Sequence, residues 1–156
     1  MSDAIKVLRK TNLNDLVKLE GLCFAHPWLE KDFKAVLTRD KTAAFYYSID
    51  NKMVGYIIYE MKPKHILLMN IAVHPDYRKM KIGSKLIDNL IDKLNADSRT
   101  EIVCYIDEYN LDAQLFLRKK KFLATRSIKH FFENDSSAIY FVHSMQTKKR
   151  KKNESK

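Results

Sequence analysis

The chain opens on a loosely alternating stretch, Ile5 and Val7 among polar neighbours, which predicts a first strand over residues 5–9. From Leu13 the period changes. Leu13, Leu16, Val17, Leu19, Leu22 and Cys23 recur at helical spacing, with Asn12 or Asn14 placed to cap the helix. His26-Pro27 breaks it, because proline disfavours helical backbone in the residue before it. A second short helix is expected next, with Trp28, Phe33, Val36 and Leu37 facing inward. Residues 43–49 and 53–61 are aromatic and β-branched runs separated by Asp50-Asn51-Lys52, the pattern of a hairpin. Residues 66–73 are apolar on both faces, as in a central strand, and Pro75 closes them.

The second half repeats the logic. Leu86, Ile87, Leu90, Ile91 and Leu94 form a stripe of 3.6 period over residues 83–96. A strand over 101–107 and a helix over 110–120 follow, then strands over 124–132 and 138–145 around the polar turn at 133–137. The order βααβββαβαββ predicts an α/β (α+β) fold: a mixed central sheet of about seven strands with helices on both faces. Within it, residues 66–107 form a strand–helix–strand unit, which makes those two strands parallel.

Composition narrows the class. The 156 residues suit one domain, expected over 1–146, and 46% hydrophobic with 31% charged residues excludes wholesale disorder. No stretch of 18 apolar residues exists, and Met1-Ser2-Asp3-Ala4-Ile5-Lys6 lacks the apolar run of a secretory signal. Membrane spanning is therefore not expected. Cys23 and Cys104 lie far apart without C-x-x-C spacing, so a reducing, cytoplasmic setting is the expectation. His26, His65, His74, His130 and His143 show no H-x-x-x-H spacing, and no metal is expected. The net charge of +10 is uneven: the last nine residues carry six cations against Glu154, for +5. Residues 147–156 hold no apolar side chain and are expected to be a disordered basic tail, free to contact rRNA or a ribosome by counterion release, or simply to stay solvated.

The chemistry concentrates between Asn70 and Leu86. A strand stops, a basic turn follows, and a helix opens at Gly83-Ser84, where unpaired N–H groups and the helix dipole suit a phosphate. Arg78, Lys79, Lys81 and Lys85 add four cations. This segment resembles the GNAT acetyltransferase superfamily, whose pyrophosphate loop reads R/Q-x-x-G-x-G/A. Asn70-Ile71-Ala72-Val73, followed by Pro75-Asp76-Tyr77, is similar to its bacterial ribosomal-protein-alanine N-acetyltransferase group. The turn from Phe24 to Phe33 resembles that group's Phe-Pro-Trp turn, and Asn110-x-x-Ala113 with Phe122 its Asn-x-x-Ala…Gly-Phe helix.

The resemblance implies acetyl-CoA as co-substrate, without a metal. It implies that Ile71, Ala72 and Val73 offer backbone groups to the acetyl-pantetheine arm, and that Val73 N–H polarises the thioester carbonyl. Arg78, Lys79, Met80, Lys81, Ile82, Gly83 and Ser84 would cradle the pyrophosphate, and Asn110 would contact the cofactor near its thiol. Trp28 and Phe131 would line the acceptor groove, although plain packing explains both as well. The implied reaction is acetyl transfer to the N-terminal α-amine of a protein, plausibly a ribosomal one, by direct attack in a ternary complex.

Three positions depart from the pattern. Lys81 stands where the loop's first glycine is usual, so the backbone there must tolerate a Cβ. Tyr105 occupies the place of the family's glutamate base, and Leu117 that of its tyrosine acid. Losing one such group typically costs about 10²–10⁴ in rate. At pH 7 an α-amine is roughly 10% neutral and a lysine amine ~0.04%, so an N-terminal acceptor needs a base far less. Asp107 and Glu108 could supply one through water, and Tyr105 or Tyr109 could protonate the thiolate. The alternatives are acetylation of a small amine or lysine side chain, a non-catalytic acyl-CoA-binding module, or an RNA-associated protein held by its tail.

Overall fold

The structure, a computed structural model, describes residues 2–145. The basic tail expected at 147–156 lies outside the described residues. In chain order the elements are β1 (Asp3–Val7), a 3₁₀ turn (Lys10–Asn12), α1 (Leu13–Cys23), α2 (Glu30–Leu37), β2 (Thr42–Ile49), β3 (Lys52–Met61) and β4 (Ile66–Val73). A second 3₁₀ turn (Pro75–Tyr77) leads to α3 (Ile82–Asn95), β5 (Glu101–Asp107), α4 (Leu111–Lys119), β6 (Leu123–Ile128) and β7 (Ala138–Ser144). Seven strands hydrogen-bond in the order β1-β2-β3-β4-β5-β7-β6. β4 and β5 are parallel, as the strand–helix–strand pattern requires, and the β1–β2, β2–β3, β5–β7 and β6–β7 pairs are antiparallel.

The chain divides into two compact units. The first comprises the chain up to Met61 together with Leu68–Leu90. Here Leu16 and Leu19 of α1 and Phe33 and Val36 of α2 are buried in one cluster with Ala44, Tyr56, Ile58 and Ala72. Eight residues are too few for α2 to hold alone in water, so this packing is what fixes it; each fully buried Leu or Phe contributes roughly 1.5–3 kcal/mol. Gly55 brings three elements close: a Cβ there would lie 3.1 Å from both the Ala72 carbonyl oxygen of β4 and the Ile82 Cγ2 of α3. The second unit comprises Lys62–Leu67 and the chain from Ile91. Its core holds Ile102, Val103 and Cys104 of β5 with Leu117, Phe122 and Phe141, all at most 1% exposed.

Local chemistry moves several boundaries. β1 begins at Asp3 rather than 5, because its register is set by pairing Asp3 with Ile49 and Val7 with Phe45. The hairpin turn is two residues, Asp50 and Asn51, both in the left-handed region (φ 49° and 66°), which frees Lys52 to pair with Ile49. Asn12 does precede α1, but its side chain accepts from the Arg9 N–H (2.9 Å) instead of a helical one. Trp28 sits in the turn before α2, not on the helix: Leu29 is the N-cap residue, and its N–H donates to Asp32 Oδ2 at 2.8 Å. β6 stops at Ile128, short of 132, where His130 turns left-handed (φ 54°).

Candidate functional site

In the first unit the site grows from the end of β4. The parallel ladder with β5 takes up Ile66 and Leu67; the strand then continues through Ile71, Ala72 and Val73. The Val73 carbonyl is held from two sides, accepting from the Cys23 thiol at 3.3 Å and from Arg78 Nε at 3.2 Å. Cys23 is thus a half-buried packing residue; burial pushes its thiol up, against the pull of Arg78. Pro75 opens the 3₁₀ turn, where a missing N–H costs nothing, and His74 Nδ1 accepts from the Asp76 N–H.

The loop then enters α3 through two left-handed lysines, Lys79 (φ 67°) and Lys81 (φ 62°). No glycine of the chain has positive φ, so the conformation that suits glycine falls on lysine instead. Gly83 is the second residue of α3, with Ile82 buried before it and Ser84 half-buried after it. Met80, Lys79 and Lys81 are exposed. Of the four cations expected at this turn, two are engaged: Arg78 holds Val73, and Lys85 donates to the Tyr47 hydroxyl (3.2 Å) and pairs with Asp3 (3.8 Å). Tyr47 also donates to Asp3, which holds that carboxyl below its ordinary range.

Behind β4 lies a feature that the sequence reading missed. Glu20 of α1 is 2% exposed, and its carboxylate accepts from the Tyr56 hydroxyl and from Asn70 Nδ2 (3.1 and 3.0 Å). Burial pushes the Glu20 carboxyl up despite these donors. The signal was present, since Glu20 falls inside the stripe Leu16, Leu19, Cys23. Trp28 itself is half-buried, 5.3 Å from the Phe33 ring.

In the second unit, Asn110 caps α4: its side-chain oxygen accepts from the Ala113 N–H at 3.2 Å. That explains the Asn-x-x-Ala spacing physically. Tyr105 stacks on Phe131 (4.7 Å, 11°) and leans on Tyr140 (5.0 Å). Phe131 is 44% exposed and lies in the loop after β6, not within a strand. Asp107 is fully engaged, accepting from the Tyr109 N–H (3.0 Å) and the Ser136 hydroxyl (2.8 Å). Glu108 is half-buried, and its carboxylate beside exposed Tyr109 pushes that phenol up. Leu117 is buried core. Among the described residues no group of three or more His, Cys, Asp or Glu could hold a metal ion, and no helix is long and apolar enough to cross a membrane.

The sequence profile of the acetyltransferase (GNAT) family matches residues 13–122. The chain belongs to that family. Its GNAT fold is shared with the ribosomal-protein-S18-alanine N-acetyltransferase of Escherichia coli, with a TM-score of 0.84 at 23% identity over 92% of this chain and 94% of that one. An Arabidopsis thaliana protein solved with the bisubstrate analogue CoA-Ac-MVNAL has a TM-score of 0.79 at 21% identity, over 93% and 100%. In sequence, the [Ribosomal protein bS18]-alanine N-acetyltransferase of Escherichia coli K12 is 33% identical over 92 residues. That match spans 59% of this chain and 62% of the relative's length.

Proposed function

We propose that this GNAT chain transfers acetyl from acetyl-CoA to the N-terminal α-amine of a protein, with a ribosomal protein as the first acceptor to test. The observation that carries the reading is the run from Val73 to Ser84: a strand end with a fixed carbonyl, a cationic left-handed loop and a helix start. These residues fit a phosphate-bearing acyl donor, with Lys79 and Lys81 exposed ahead of the first-turn N–H groups of α3. Ile71, Ala72 and Val73 would take the acetyl-pantetheine arm, Arg78 to Ser84 the pyrophosphate, and Asn110 the thiol end.

Acetyl-CoA supplies an activated acyl group. The acceptor nitrogen forms the new C–N bond as the C–S bond breaks, and the Val73 N–H stabilises the carbonyl oxygen meanwhile. Glu108 takes the amine's proton through water, and the neighbouring Tyr109 protonates the departing thiolate. Tyr105, held in its aromatic stack, is the other candidate acid. Trp28 and Phe131 line the acceptor's path. The likeness to an alanine N-acetyltransferase supports an α-amine acceptor, and a ribosomal acceptor places the reaction in the cytoplasm.

Thiol release from acetyl-CoA across a peptide panel varied at its first residue tests this, with lysine peptides and polyamines as competitors. Turnover of α-amine peptides is expected; none at all overturns the reading. One observation favours a second reading, an acyl-CoA-binding module: Leu117 is buried where the family's acid is usual. Tight CoA binding by calorimetry without thiol release from any amine would establish that one.

A further inference from the structure

Glu20 is a carboxylate with no solvent to stabilise it, and burying such a group is expensive unless donors surround it. Here they do, and each comes from a different segment. Tyr56 donates from β3 and Asn70 from β4. One turn further along α1, Cys23 donates to the carbonyl of Val73, three residues beyond Asn70. The last turn of α1 therefore grips β4 at two points, and Tyr56, which it also holds, lies edge-on to Phe33, the ring that Trp28 packs against.

A hydrophobic residue of similar volume would fill this space without the desolvation cost. What a carboxylate adds is a fixed point that two separate strands share. We infer that Glu20 is a positioning residue of the proposed acetyl transfer, fixing the thioester-side strand at Asn70–Val73 directly and the acceptor-side Trp28 through Tyr56 and Phe33. The inference rests on the reading of those two segments as acceptor and acyl-donor contacts. It assigns Glu20 no contact with either substrate.

Misplacing reacting groups by about 1 Å can cost on the order of 10² in rate, so removal of Glu20 should cost far more activity than its share of stability suggests. Trp28 is the single tryptophan of the chain, which gives a readout independent of turnover. The test uses the full chain with Glu20→Gln, Asn70→Ala and Tyr56→Phe, the last removing one hydroxyl with almost no change of volume. Each is measured well below its own melting temperature, with wild type alongside.

Three results are expected. Trp28 emission shifts and acrylamide quenching rises in the folded variants. Acceptor kcat/KM falls about tenfold to a hundredfold. The dissociation constant of CoA, by calorimetry, changes less than threefold. Lower melting temperatures with unchanged Trp28 emission and quenching, and kcat/KM within twofold of wild type, would overturn the inference and leave Glu20 a core residue only. If Glu20→Gln does not fold, Tyr56→Phe and Asn70→Ala decide by the same criteria. Should wild type acetylate no amine, the acetyl-transfer reading fails by itself, and the tryptophan signal alone reports whether Glu20 positions Trp28.

Discussion

The loop lysines carry a local conformational cost. A left-handed L-residue costs roughly 1–2 kcal/mol, and both Lys79 and Lys81 accept it. Lys81→Gly should therefore stabilise the fold by up to about 1 kcal/mol, part of the relief being offset by the freer unfolded chain, while raising KM for acetyl-CoA. Urea titration and steady-state kinetics on the same preparation check both halves. The Asn110 side-chain oxygen caps α4, so its proposed contact with the acyl donor falls to the NH₂. Asn110→Asp should keep the cap, with stability within about 0.5 kcal/mol, yet lose a donor to the acyl-donor site, and calorimetry of CoA binding would register the loss. Glu20 predicts a pH effect of definite sign. Burial raises its folded pKa above the ordinary 4.5, so between those values the native state holds a proton that the unfolded chain has released. Stability then falls as pH rises through that window and is level above it. Glu20→Gln has no such group, so the wild-type-minus-variant difference in denaturation midpoint should fall as pH rises from about 4.5 and then plateau.

At the scale of elements, most of the order was legible because each period was clean. The stripe of α3 and the double-faced run of β4 appear where the side chains put them, at Ile82–Asn95 and Ile66–Val73. What escaped was set by partners distant in sequence. β1 takes its register from β2, not from its own alternation. The candidate site divided likewise. The loop from Arg78 to Ser84 could be read residue by residue, whereas the carboxylate behind it looked like an interruption of an apolar face. Nor could a sequence show that Lys85 would be drawn aside by Asp3 and Tyr47. The contact of β3 with β4 and α3 through Gly55 makes a direct test of how the loop is held. Gly55→Ala must push against the Ala72 carbonyl and Ile82, at a cost of about 1–3 kcal/mol. Its KM for acetyl-CoA should rise with it, since both displaced residues flank the loop.

For the molecule as a whole, the charge of +10 has two destinations. Half belongs to the last nine residues, and under the proposed function the exposed Lys79 and Lys81 would turn a small part of the remainder toward the donor's phosphates. Exposed charges are screened over about 8 Å at physiological salt, so KM for acetyl-CoA should rise between about 50 and 300 mM salt, more steeply for wild type than for Lys81→Gly. Equal slopes would remove Lys81 from the ligand's surroundings. The sheet order carries a different consequence. β1 and β6 are its outermost strands, each with one strand neighbour among the described residues, and five of the six β6 residues and all five of β1 are exposed. Lys6 and Arg126 stand on those rims, where a charge makes it costly for a stranger's strand to dock. Charges at both margins therefore disfavour edge-to-edge growth of the sheet.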